Sequence, residues 1–141
     1  MATHERSRGR GLDRRALRVL TDTHTLVWAL SKPEELSAAA RKALATSSFT
    51  ASVANLWELV LKARKPGALL ADPLPWWEQY VTQSHIPTLA IRLTHIRSLA
   101  RLPEIHKDPF DRILVAQALA EKLGLITRDR DLARYGIRVI W

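Results

Sequence analysis

The chain has no cysteine, which removes disulfide frameworks, thiolate-bound zinc and cysteine nucleophiles together. A reducing compartment such as the cytoplasm fits that composition. Long apolar runs are also missing. The longest is Leu26 to Leu30, far short of the ~20 residues of a membrane-spanning helix, so no membrane association is expected. The arginine-rich start carries no apolar stretch of the ~7–15 residues that a secretory signal requires. Negative charge is scarce, with 14 acidic against 22 basic residues and a formal net charge of +8. Half of that excess lies between Met1 and Arg18, where six arginines face only Glu5 and Asp13.

What is present is an ordinary globular composition, 47% hydrophobic and 26% charged, which excludes disorder of the whole chain. A chain of 141 residues fits one domain, and such a domain hides roughly 70% of the surface of its unfolded chain. Residues 1–16 show neither a helical nor a strand period and read as a basic, disordered N-terminal extension. The folded domain is expected over residues 17–141. The positive balance points to a polyanionic partner such as nucleic acid, although the share left to the body is modest.

Hydrophobic patterning predicts strands at Leu17–Thr21, Phe49–Ser52, Ile86–Ala90, Leu125–Thr127 and Ile137–Trp141. Pro87 assigns the third of these to a sheet edge. Helices are predicted from about Thr23 to Leu30, Ser37 to Ala45, Val53 to Lys65, Pro73 to Gln83, Leu93 to Leu102 and Pro109 to Leu123, the last closed by Gly124. Strands alternating with helices imply a three-layer α/β/α fold with a central, mostly parallel sheet. In such sheets ligands bind beyond the carboxyl ends of the strands, which is where acids matter most.

Asp22 directly follows the first predicted strand and Asp129 follows the fourth. Each also suits a helix or turn cap. Glu58 lies in Val53–Leu61, a segment so apolar that the helix is expected to be buried on several sides. A buried carboxylate needs a partner, and Lys62 stands one turn on. Asp108 fits an N-cap with Pro109 at the first helical position, while Asp111 precedes the buried-looking run Ile113–Ala116. Two like charges ~4 Å apart repel by about 4 kcal/mol at an effective dielectric of ~20. A converging cluster therefore protonates, disperses or takes up a cation, and Mg²⁺ or Mn²⁺ suits oxygen donors that face a phosphate. His24 and His106 lie beside these acids, as acid/base groups or as supporting residues. The tryptophans Trp28, Trp57, Trp76, Trp77 and Trp141 offer stacking surfaces or core packing, and Trp76-Trp77 reads as a contact for a partner protein or a second copy.

At these residues the chain resembles the PIN-domain ribonucleases, in particular the VapC-like toxins of toxin–antitoxin pairs. The blocks that carry the likeness are Leu20-Thr21-Asp22-Thr23-His24, Ser52 to Glu58 with Lys62, His106 to Arg112 leading into Ala116-Gln117-Ala118, and Thr127-Arg128-Asp129 before Ala133 to Gly136. They span about Val19 to Trp141. The resemblance implies a PIN-like domain and an acidic quartet of Asp22, Glu58, Asp111 and Asp129 that binds metal and performs catalysis, with Asp108 as an accessory acid. Thr127 and the basic residues Lys62 and Arg112 are further accessory candidates, the basic pair to orient Glu58 or grip phosphates. It also implies a Mg²⁺ or Mn²⁺ requirement, an RNA substrate, homodimerisation and inhibition by a cognate antitoxin. The alternative is a non-catalytic nucleic-acid-binding or interaction module whose acids are caps and ion pairs. A phosphoacceptor receiver domain would need an acidic pair before the end of the first strand and a late lysine, neither of which is evident.

Overall fold

The structure, a computed structural model, describes residues 18–141; the extension expected over residues 1–16 lies outside the described residues. The elements run β1 (Arg18–Thr21), α1 (Thr23–Ser31), α2 (Ala38–Thr46), β2 (Ser48–Ser52), α3 (Val53–Lys62), α4 (Pro73–Trp77), β3 (Thr88–Leu89), α5 (Leu93–Ala100), α6 (Pro109–Glu121), β4 (Gly124–Ile126) and β5 (Val139–Ile140). Single turns of 3-10 helix cover Pro33–Glu35, and a longer one covers Arg130–Tyr135. Helix α4 runs on into a π-helical turn, Glu78–Thr82.

Among the described residues the strands form one five-stranded sheet in the order β3-β2-β1-β4-β5, and every pairing is parallel. Strand β3 sits at the edge that Pro87 predicts, and the Pro87 carbonyl still accepts the Ala51 N–H at 2.9 Å. The chain builds outward from β1 to β3, then returns to the centre to build β4 and β5. The two halves diverge between β1 and β4, so the crevice beyond the carboxyl ends of those strands is the expected place for a ligand.

Side chains alternate across the sheet as strand geometry requires. Leu20 and Leu125, paired in register, face a core with Ile113, Leu114 and Leu132. Their neighbours Val19 and Ile126 point the other way, against Leu36 and Ala40. Phe49 connects that second face to a cluster of Leu26, Ala51, Leu59, Trp77 and Val81. Helix α6 is buried from Phe110 to Ala118 apart from Asp111 and Arg112.

Local chemistry sets the helix ends. Asp22, Ser37, Ser52 and Asp108 each accept a backbone N–H in the first turn of α1, α2, α3 and α6, satisfying donors that have no partner within the helix. Helix α6 closes two residues earlier than Gly124 suggests. Lys122 adopts a left-handed conformation (φ 59°), the Leu123 N–H returns to the Ala118 carbonyl at 2.9 Å, and Leu123 is buried. That hydrogen bond and hydrophobic contact hold a Schellman-type end without glycine, and Gly124 is free to open β4.

The expectation for α3 needs correction. Its apolar residues do not all go inside: Leu59 is buried, but Val53, Trp57, Val60 and Leu61 are 40–55% exposed. The pair Trp76-Trp77 behaves in the opposite way. Trp77 is in the core, while Trp76 donates its indole N–H to Ser31 Oγ at 3.0 Å and lies near Tyr80.

Candidate active site

Asp22 belongs to both the helix and the crevice. Its Oδ1 accepts the Thr25 N–H at 2.9 Å as the cap of α1, and its Oδ2 accepts the Thr127 hydroxyl at 2.6 Å. Thr127, fully buried just after β4, also accepts the Asp129 N–H on its own oxygen at 3.1 Å. The Asp22 N–H donates to the Ile126 carbonyl at 3.1 Å. The ends of β1 and β4 are thus joined through backbone and side chain, and Asp22 and Asp129 are fixed relative to each other.

Helix α6 brings the next two acids. Asp108 Oδ1 accepts the N–H groups of Phe110 (2.8 Å) and Asp111 (3.1 Å), the capping role read for it. Asp111, one turn in, has its carboxyl pushed up to about 7, first by burial and then by the charges of Asp108 and Asp22, with His106 opposing and Glu58 adding to the rise. Three other acids therefore act on Asp111, which places Asp22, Glu58 and Asp111 within one electrostatic neighbourhood. The Glu58 side chain is 13% exposed, and its Oε2 accepts Lys62 Nζ at 2.7 Å. That hydrogen bond raises the Lys62 pKa against the opposing effect of burial. The partner read for Glu58 is the one it has.

His106 connects the remaining acids. Its Nε2 lies 2.9 Å from Asp129 Oδ2 and 3.7 Å from Asp111 Oδ2. Among the described residues His106, Asp111 and Asp129 each offer one metal-ligand atom within 4.8 Å of the others. The ring's other nitrogen, Nδ1, accepts the Asp108 N–H at 3.2 Å. A neutral ring bound in this way carries its proton on Nε2, where it donates to Asp129. This makes His106 an orienting donor, since a metal-bound Nε2 would need the proton on Nδ1, facing another donor.

Arg112 faces away from phosphate-binding geometry. Its Nη1 donates to the Pro103 carbonyl (3.0 Å), to the His106 carbonyl (3.4 Å) and to the Tyr135 hydroxyl (3.2 Å), while the Tyr135 hydroxyl accepts the His106 N–H at 2.8 Å. Arg112 and Tyr135 hold the loop that presents His106. Arg128 is exposed and lies 5.6 Å from the centre of the Trp28 ring.

Beneath the crevice runs a buried polar chain. Asn55 Nδ2 donates to the Thr21 carbonyl (3.3 Å) and to Thr23 Oγ1 (3.2 Å), and its Oδ1 accepts the Ser52 N–H at 2.9 Å. The Ser52 hydroxyl donates to Gln117 Oε1 at 2.6 Å, and Gln117 Nε2 donates to the Ala90 carbonyl at 3.2 Å. Beyond Gln117, His95 reaches Glu121 at 2.7 Å. Ser52, Asn55 and Gln117 stand in the sequence blocks quoted above, but their task was not legible there. They couple the turn after β1, which bears Asp22, to the start of α3, which bears Glu58. A polar residue on an apolar helix face was the available signal.

The family model described as "PIN domain" matches residues 19–138. The chain is 33% identical over 116 residues to "Ribonuclease VapC22" of Mycobacterium tuberculosis (strain ATCC 25618 / H37Rv), covering 81% of this chain and 88% of that protein. Among solved structures it is similar to DNA-bound VapBC from Salmonella typhimurium, with a TM-score of 0.63 and 19% identity over 86% of this chain and 96% of that one. A toxin–antitoxin complex from Klebsiella pneumoniae matches with a TM-score of 0.54 and 25% identity, covering 82% of this chain and 90% of that one. FitAcB from Neisseria gonorrhoeae matches at a TM-score of 0.63 and 17% identity, over 86% of this chain and 95% of that one.

Proposed function

The chain belongs to the PIN-domain family, and from that premise we propose that it is a metal-dependent endoribonuclease, the toxin of a toxin–antitoxin pair, acting through Asp22, Glu58, Asp111 and Asp129. The observation that carries this reading is the meeting of Asp111 and Asp129, whose carboxylate oxygens lie within 4.8 Å of each other and of the His106 ring, beside Asp22, which Thr127 ties to Asp129. A site that concentrates negative potential in this way stabilises a divalent cation. With His106 set aside as an orienting group, the donors that converge are the Asp111 and Asp129 carboxylates, oxygen donors that suit Mg²⁺ or Mn²⁺, and together with Asp22 and Glu58 they would hold the ion. When bound, such an ion supplies a water of lowered pKa and offsets charge that builds on a phosphodiester.

The chain's own residues prepare that chemistry. Thr127 and His106 fix the oxygens of Asp22 and Asp129, so that little reorganisation remains at the moment of reaction. Lys62 holds Glu58 by a charge-assisted hydrogen bond and Asp108 caps the helix that carries Asp111. RNA is the substrate class that the ribonuclease relative favours. A cognate antitoxin and a second copy of the chain are the protein partners we assign. The half-exposed apolar face of α3 (Val53, Trp57, Val60, Leu61) supports a protein partner.

The direct test is cleavage of labelled single-stranded RNA in Mg²⁺ or Mn²⁺. Cleavage is expected to stop in excess chelator and in Asp22→Asn and Asp111→Asn. Full activity in both variants overturns the assignment. Binding of RNA without cutting in either metal returns the chain to the non-catalytic alternative.

A further inference from the structure

Two depressions share His24, one beside Asp22 and Asp129 and the other beside Glu58. One is open and bounded by Asp22, Trp28, Arg128 and Asp129 as well as His24. The other is a recess of about 160 Å³ beside Glu58, formed by the start of α1, the second half of α3 and the turn at residues 65–69. Leu59, Ala68 and Leu69 give it apolar surface, while Lys62 and Lys65 bring ammonium groups. Nothing in the chemistry of the four acids requires it.

Its size restricts what can enter. Sites that enclose a whole small molecule measure ~300–1000 Å³, so this recess accepts one ring and leaves the rest of the ligand outside. Its surroundings say what that remainder is. Lys62 is engaged by Glu58 at 2.7 Å, and Lys65 is exposed, as a cation meeting a phosphate needs to be. On the other side of His24, the Arg128 guanidinium lies 5.6 Å from the Trp28 ring centre, a cation and an aromatic face of the kind that single-stranded nucleic acid uses. A base in a duplex is stacked and paired and cannot turn into such a recess, whereas an unpaired one can.

We propose that the recess beside Glu58 is a nucleobase subsite, which seats one unpaired base of the RNA next to the bond that is cut. The assignment rests on the nuclease reading above and deepens it. Apolar surface from Leu59, Ala68 and Leu69 covers the base, Lys65 meets the adjoining phosphate, and the strand continues over His24 toward Trp28 and Arg128.

The test uses the full chain with Mn²⁺ and short single-stranded oligoribonucleotides, each carrying one abasic residue at a different position around a preferred cut. The wild type is expected to lose about 5- to 150-fold in kcat/KM when the abasic residue occupies one position beside the cut, the range that stacking of one base commands. Ala68→Leu, which fills the recess, should lose the same factor on intact RNA and show no further loss at that abasic position. Lys65→Ala should raise KM whichever base is present. An Ala68→Leu protein that keeps the wild-type cut preference and abasic penalty overturns the proposal and leaves the recess to a side chain of a protein partner. If melting shows that Ala68→Leu does not fold, Leu69→Ala takes its place. Enlarging the recess should change which base is preferred, and an unchanged preference overturns the proposal. Failure of the nuclease reading is distinguishable, because the wild type would then cut none of the oligonucleotides; fluorescence anisotropy on the same abasic set would read the subsite through binding, and equal affinity across that set would overturn it.

Discussion

The Thr127 hydroxyl donates to Asp22 Oδ2 at 2.6 Å while its oxygen accepts the Asp129 N–H at 3.1 Å. One buried hydroxyl thereby sets the spacing of two acids that are distant in sequence. Thr127→Val keeps the shape and removes both bonds, leaving the Asp129 N–H without its acceptor. We expect a stability loss of about 1–3 kcal/mol and a fall in Mn²⁺ affinity of about 10- to 100-fold, as for other groups that orient metal ligands. Thr127→Ser should recover most of both. Chemical denaturation and isothermal titration with Mn²⁺ measure the two effects separately, and an unchanged Mn²⁺ affinity in Thr127→Val would contradict this role.

The raised carboxyl of Asp111 makes metal-free stability depend on pH. In the unfolded chain this group titrates near 3.8, and in the fold near 7, so between those values the folded state binds more protons. Stability from this group is complete below the lower value and is lost as pH rises through the upper one. Without metal, melting temperature should fall from about pH 4 toward pH 7 relative to Asp111→Asn. The variant should become the more stable protein above pH 7, by roughly 10 °C. Mn²⁺ should reverse the order and, below pH 7, release up to about one proton on binding. Parallel pH profiles for the two proteins would remove Asp111 as the cause.

The acids were legible in the sequence because β1 and β4 end where a sheet of this topology builds its sites. A cap need not exclude a site role: Asp22 spends Oδ1 on α1 and Oδ2 on Thr127, and Asp129 caps a 3-10 turn with Oδ1 while Oδ2 meets His106. The exposure of α3 was not legible, since an apolar helix reads the same whether it is covered by its own chain or left half open. The direction of Arg112 was hidden too. Its partners Pro103 and Tyr135 come from an irregular loop and a 3-10 turn, neither of which has a period to read.

His106 offers a sharper test of roles. The ring donates from Nε2 to Asp129 because Nδ1 is occupied by the Asp108 N–H. His106→Gln places an amide donor at a similar reach and should retain much of the activity. His106→Ala should lose about 10- to 100-fold, mainly in kcat, with weaker Mn²⁺ binding. Pulsed electron-spin measurements on Mn²⁺ bound to the wild type should show no histidine nitrogen coupling. A clear nitrogen coupling that disappears in His106→Gln would make the ring a ligand instead.

The buried chain through Asn55 predicts a separation of stability from surface function. Asn55 is wholly buried and serves the Ser52 N–H, the Thr21 carbonyl and Thr23 Oγ1. Removing it strands those groups inside the protein. Asn55→Ala should therefore cost about 2–4 kcal/mol, because each buried group left without a partner costs about 1–3 kcal/mol and some will find water. Trp57, also on α3, is 51% exposed although its ring meets Phe110 edge-on at 4.8 Å. Trp57→Ala should cost less, about 1 kcal/mol. Urea denaturation of the two variants decides the matter. If Trp57→Ala proved the more damaging, stability would reside in the outer face of α3, and the polar chain would not be what holds Asp22 and Glu58 in their shared place.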